Sequence, residues 1–198
     1  MTLTLVLILI FNSTVIWDVW HTYITAASKT IPYLVSVGNH EADHLTVCPQ
    51  EPSGASGDSF SGFHPSWGDM GDDSSGEGSV PTYHRFRSPG SGAGVFEPVG
   101  NAIFWYSLSI GSVHVLQLSS EHDFTIGSQQ YRWIEDDLKR VDKRVTPWVV
   151  VTLHRPMMTP LSGSVFKTSA GMILNLETLF EEYGVDLVLG GHVHSYER

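Results

Sequence analysis

Cysteine is almost absent from this chain: Cys48 stands alone among 198 residues. No intrachain disulfide can form, and a zinc site built from several cysteines is excluded. Cys48 itself reads as an ordinary loop thiol. Positive charge is scarce as well, with 11 Lys and Arg against 21 Asp and Glu and a net charge of −10. That balance argues against a broad basic surface for nucleic acid. It does not exclude an anionic substrate, because a bound cation reverses the local field. Long apolar runs are missing too. Residues 2–11 (Thr-Leu-Thr-Leu-Val-Leu-Ile-Leu-Ile-Phe) are too few to cross a bilayer, so no stable membrane span is expected. The run reads either as the core of a signal peptide or as a buried strand of a parallel sheet. No Lys or Arg precedes it, and no small-residue cleavage site follows. Asn12-Ser13-Thr14 matches a glycosylation acceptor, a pattern frequent by chance. There is no internal repeat.

A hydrophobic fraction of 41% and six tryptophans suit one domain with a substantial core. Residues 17–28 predict a helix with Trp17, Trp20, Tyr23, Ile24 and Ala27 on one side, broken by Pro32. Residues 33–37 read as a short β-type run ended by Gly38. Residues 49–94 differ in kind: twenty of the 46 are Gly or Ser, which predicts a long surface loop. Two aromatic islands in it, Phe63-His64-Pro65-Ser66-Trp67 and Tyr83-His84-Arg85-Phe86, suggest that parts of the loop dock. Residues 103–109 and 113–118 predict a hairpin around Gly111-Ser112. Residues 128–141 predict a helix capped by Ser128, with Tyr131, Ile134 and Leu138 on one face. A strand over residues 148–153 ends at His154. A helix over residues 172–183 is stopped by Gly184, and a strand over residues 185–189 runs into Gly190-Gly191. Alternating helix and strand make the fold α/β.

Asn39, His154, His192 and His194 share one placement, each after an apolar strand-like run. In open α/β sheets, ligands bind beyond the carboxyl ends of the strands, so four donors from three strands can converge there. Imidazole nitrogen suits Zn and Fe, and amide oxygen suits harder ions. His192 and His194, two apart, share a face if the backbone stays extended. Gly190 and Gly191 permit a sharp turn beside them. Each piece has a plainer reading: a structural histidine at His154, a chance His-x-His on an exposed loop, a turn at Gly38-Asn39-His40. Together, in this order, they favour a metal site. The other histidines are weaker candidates. His21 reads as helix surface; His44, His64 and His84 as loop; His114 as packed or solvated within a strand. His122, in Glu121-His122-Asp123, reads as a solvated loop residue, with a place near a cleft as the other reading. Asp69, Asp72 and Asp73 lack the spacing of a calcium loop.

The pieces Gly38-Asn39-His40-Glu41, Val151-Thr152-Leu153-His154 and Gly191-His192-Val193-His194-Ser195-Tyr196-Glu197-Arg198 resemble the calcineurin-like metallophosphoesterases. The ending His-Val-His-x-Tyr-Glu-Arg resembles the purple acid phosphatase branch in particular. Softer matches are Trp17-Asp18, Tyr83-His84-Arg85-Phe86, Phe104-Trp105-Tyr106-Ser107, Gly127-Ser128-Gln129-Gln130-Tyr131 and Thr146-Pro147-Trp148. The resemblance implies an αββα sandwich with mixed sheets and ligands at strand ends, here a partial domain over residues 1–198. It implies a dinuclear centre of Fe with Zn, Mn or Fe, and hydrolysis of phosphate monoesters at acidic pH by a metal-activated hydroxide. By resemblance Asn39, His154, His192 and His194 are metal ligands, and His40 lies close to the substrate phosphate. Glu41 and the Glu197-Arg198 pair look structural, and the resemblance suggests a secreted or vacuolar protein. Oligomeric state is left open. The family's upstream motifs, an Asp and then Gly-Asp-x-x-Tyr, have no match, since no Asp or Tyr precedes Asp18. Residues 155–170 carry no histidine to help protonate a leaving group. The expectation is therefore an N-terminally truncated catalytic domain that keeps part of its metal site. The alternative is a catalytically degenerate fragment that binds metal weakly or serves as an interaction surface.

Overall fold

The computed structural model describes residues 13–42, 52–54, 78–88 and 100–197. The predictions at residues 2–11, Cys48, His44, the island at 63–67 and Asp69, Asp72 and Asp73 lie outside them, as does most of the Gly/Ser-rich stretch. The chain divides into two compact units, Met1–Val35 and Ser36–Arg198.

The first unit contains helix α1, Ser13–Ser28. It starts four residues earlier than the apolar spacing predicts. Along its length Trp17 and Trp20 meet edge to face at 5.7 Å, and Trp20 meets Tyr33 at 5.8 Å. Edge-to-face contacts of this kind place the positive rim of one ring on the negative face of the other. His21 lies beside both tryptophans. Tyr23, placed on the apolar side by its spacing, is 79% exposed. The β-type run at 33–37 forms no strand: residues 32–38 carry no ladder. Strand propensity is realised only through packing against neighbouring strands, and no described strand pairs with it.

The second unit is built on one five-stranded mixed sheet in the order β1-β2-β3-β4-β5. The strands are β1 Gly100–Asn101, β2 Trp105–Ile110, β3 Val113–Gln117, β4 Trp148–Thr152 and β5 Leu187–Leu189. β1, β2 and β3 pair antiparallel, and β3, β4 and β5 pair parallel. The expected mixed α/β class is observed, and among the described residues the strands form this single sheet. The predicted hairpin joins β2 to β3, with Gly111 at φ 59 in the tight turn.

Two helices make the parallel crossovers. Helix α4, Gln129–Arg140, begins where Ser128 accepts a hydrogen bond from the Tyr131 N–H at 3.1 Å, as the sequence predicts. It buries Ile134 and Leu138. Helix α5, Ser164–Glu182, is eight residues longer at its start than predicted. Its first turns carry exposed Phe166 and buried Thr168 and Ser169, and so lack an apolar stripe. Further along, Met172, Leu176, Leu179 and Phe180 recur at helical spacing and are buried. They join Leu116, Val149 and Val151 of the sheet in one core. Two short helices precede the sheet: α2, Asn39–Ala42, and α3, Val80–Arg85. His84 is therefore helical rather than a loop residue, because Pro81 at the first turn starts α3. The second aromatic island docks as expected: Tyr83 stacks on Phe104 with centroids 6.0 Å apart, and Phe86 packs against the core.

Candidate metal centre

Three chain segments carry the candidate donors. Asn39 opens α2, and Glu41 reaches back so that its Oε2 accepts the Gly38 N–H at 3.0 Å. A carboxylate at the third helical position closing onto the preceding N–H fixes the entry of even a one-turn helix. Ser79 N–H donates to the Glu41 carbonyl at 2.8 Å and ties that turn to the start of α3. Asn39 is buried.

His154 and His192 arrive together because β4 and β5 are parallel neighbours in register, Thr152 opposite Leu189. Past the ladder the two chains stay bonded, Leu153 N–H to the Leu189 carbonyl at 3.1 Å and Gly191 N–H to the His154 carbonyl at 2.8 Å. Gly190 is required here, since a Cβ would stand 2.7 Å from Pro156 Cα. His192 then adopts φ 64. That left-handed conformation costs a non-glycine residue roughly 1–2 kcal/mol, so the packing around it must impose the turn.

The result is a triangle of side-chain atoms. His154 Nε2 lies 2.6 Å from Asn39 Oδ1 and 3.1 Å from His192 Nδ1, and His192 Nδ1 lies 3.1 Å from Asn39 Oδ1. The two rings cross edge to face at 5.1 Å. Ligand atoms about 2.0–2.2 Å from one ion and at right angles to each other stand about 3 Å apart. The triangle has that size, and its donors are of the type that binds Zn, Fe or Mn. Gly38 leaves room for it: a Cβ there would lie 2.9 Å from His154 Nδ1.

Burial pushes the His154 imidazole down to about 4; the Glu121 carboxylate opposes this, and His192, Arg155 and His40 reinforce it. The ring thus keeps a lone pair for a cation well into the acid range. Burial also pushes the Glu41 carboxyl up, against its hydrogen bond from Gly38 and the charge of His40. Glu121 is held below the usual carboxylate range: burial would raise it, but the Arg155 hydrogen bonds and charge outweigh that effect.

Of the predicted site residues, Asn39, His154 and His192 come together. His40 is half-buried next to Asn39 in α2. His194 is exposed, and among the described residues no three His, Cys, Asp or Glu side chains gather. It therefore stands apart from His154 and His192. Glu197 is exposed and accepts a hydrogen bond from Ser195 Oγ at 3.1 Å, while Arg198 lies outside the described residues. His114 is packed, with Nε2 2.7 Å from Asp137 Oδ2.

His122 corrects the solvated-loop reading. It is buried, with Nδ1 2.7 Å from Ser119 Oγ and its ring 4.8 Å from that of Phe104. The same loop holds what the sequence did not reveal, a buried ion pair between Glu121 and Arg155, the residue after His154. The only signal was an Arg directly following a candidate ligand, which without the fold has no partner.

Comparison with known proteins agrees with this architecture. The calcineurin-like phosphoesterase family matches residues 10–196. A protein named "probable inactive purple acid phosphatase 9" from Arabidopsis thaliana is 36% identical over 191 residues, covering 92% of this chain and 27% of its own. The Fe(3+)-Zn(2+) purple acid phosphatase 12 of the same plant is 29% identical, covering 92% of this chain and 32% of its own. A purple acid phosphatase from yellow lupin (Lupinus luteus) seeds superposes with a TM-score of 0.67 at 28% identity, over 90% of this chain and 27% of its own. The chain thus spans about a third or less of the length of these relatives. On a match that takes in α1, the whole sheet and all three donors of the triangle, the chain belongs to the calcineurin-like phosphoesterase family.

Proposed function

We propose that this chain carries part of the centre of a metal-dependent phosphomonoester hydrolase of acid phosphatase type. The observation behind this is the triangle of Asn39 Oδ1, His154 Nε2 and His192 Nδ1, all within 3.1 Å of one another. Asn39, His154 and His192 would hold one cation, and His194 would serve a second one, in a dinuclear centre of Fe with Zn, Mn or Fe. When bound, such cations supply Lewis acidity for phosphoryl transfer. His40, next to Asn39, donates a hydrogen bond to a phosphoryl oxygen of the monoester. Glu41 keeps the Asn39 amide in place through Gly38, and buried His154 stays neutral in acid, which suits an acidic working range. A secreted or vacuolar location, within one partial phosphoesterase domain, is part of the same proposal. No helix among the described residues is long and apolar enough to cross a membrane.

A second reading has its own observation. The three donors are neutral, and among the described residues no carboxylate or thiolate joins them. A neutral set holds two cations poorly, and several relatives carry the word inactive in their names. On that reading the chain binds one cation weakly and serves as an interaction surface. Titration of the 198-residue chain with Zn2+, with turnover of a chromogenic phosphate monoester at acidic pH, separates the two. Turnover that His40→Ala and His154→Ala abolish supports the hydrolase. Binding of one cation without turnover supports the second reading, and no binding at all overturns both.

A further inference from the structure

We propose that Glu121 and Arg155 are positioning residues of the metal centre, their buried ion pair holding His154 in line with Asn39 and His192. The proposal rests on the reading of that triangle as a cation site. Arg155 Nε donates to Glu121 Oε1 at 2.8 Å, and its Nη2 donates to Glu121 Oε2 at 3.1 Å. The side chains are 3% and 0% exposed. Ser120 closes the circuit: its Oγ donates to Glu121 Oε1 at 2.8 Å and accepts the Arg155 N–H at 3.0 Å. The loop that carries Glu121 is anchored in turn. Glu121 N–H donates to Ser119 Oγ at 3.2 Å. Ser119 N–H donates to Gln130 Oε1 at 2.8 Å, and Gln130 Nε2 returns a bond to the Ser119 carbonyl at 3.0 Å. Gln130 is a fully buried residue of α4.

The backbone of His154 is therefore clamped on two sides. Its own carbonyl takes the Gly191 N–H, and the next residue is locked by three hydrogen bonds to Ser120 and Glu121. The ring itself is then held at Asn39 Oδ1 and His192 Nδ1. A cation site tolerates little displacement of its ligands, and groups that orient them typically govern affinity 10–100-fold. Stability gives no equal account of the pair, because replacing a buried ion pair by apolar side chains of similar volume is often neutral or stabilising. A fork-to-carboxylate contact instead supplies direction, since the planar guanidinium fixes both distance and angle.

The test uses the full chain, Co2+ titration followed by visible absorption, and thermal melts in EDTA. Glu121→Met with Arg155→Met removes both charges, and Arg155→Lys keeps the charge but not the fork. The expected result is a double variant that folds and binds Co2+ 10–100-fold more weakly with altered absorption bands, and an Arg155→Lys variant weakened in the same way. Wild-type Co2+ affinity in the double variant overturns the proposal. So does a double variant that no longer folds, because the pair then serves the fold itself. Wild-type affinity in Arg155→Lys also overturns it, by assigning the effect to charge rather than direction. His154→Ala separates this from the underlying reading: if it binds Co2+ as the wild type does, the triangle is not the site, and both claims fall.

Discussion

Replacing Gly38 by alanine puts a methyl group where the His154 ring and the Glu41 carboxylate already sit. The new Cβ would lie 2.9 Å from His154 Nδ1, 3.0 Å from His154 Cε1 and 3.0 Å from Glu41 Oε2. Comfortable carbon contacts are about 3.5–4.0 Å, so each falls short by about half an ångström or more. The ring cannot yield freely, because its far side already meets Asn39 at 2.6 Å and His192 at 3.1 Å. Glu41 cannot yield without giving up the Gly38 N–H. Overpacking of this kind costs about 1–3 kcal/mol. Urea unfolding in EDTA measures that cost alone. In saturating Zn2+ the loss grows, because a tenfold weaker site withdraws about 1.4 kcal/mol of linked stability. The Gly38→Ala variant should thus lose more stability with Zn2+ than without it. Equal urea midpoints for variant and wild type in EDTA would refute the packing argument. An equal loss with and without Zn2+ would refute the claim that His154 is a ligand.

Other outcomes follow from single contacts. Glu121 is held below its ordinary range, so its contribution is fully present above about pH 4.5 and is lost as pH falls through the folded value. Glu121→Gln should be less stable than wild type at neutral pH, and the gap should narrow on acidification; a gap that widens in acid contradicts the pairing. Ser128→Ala removes the cap of α4 and should cost about 1 kcal/mol in urea unfolding with an unchanged slope. Leu176→Ala, at a position only 1% exposed, should cost about 2–5 kcal/mol; a loss below 1 kcal/mol would place α5 elsewhere than on the sheet.

The legible parts of this chain were those whose signals are local. Ser128 with Ile134 and Leu138 marks a capped helix at a spacing of three and four, and that helix is present. Gly111 marks a hairpin because the turn needs a positive φ. Residues 33–37 misled, since a β-type run says nothing of whether a strand lies beside it. The first turns of α5 were missed because polar Thr168 and Ser169 are buried there; Ser169 Oγ bonds the Pro156 carbonyl at 2.7 Å. His122 reads as solvated in the sequence for the same reason, since its burial depends on Phe104 and Trp105 at the start of β2.

The sequence by itself determined the donor types, their order along the chain and their position after apolar strands, and with these the family. Those features depend on residue chemistry and on periodicity over a few positions. Only the tertiary structure decided which donors meet. The parallel register of β4 and β5 brings His154 beside His192, and the bend at φ 64 leaves His194 exposed although it lies only two residues on. It likewise decided that Arg155 has a partner 34 residues away in Glu121. Contacts across such separations arise from how strands pair and how helices pack on them, and neighbours in the sequence carry no record of that geometry.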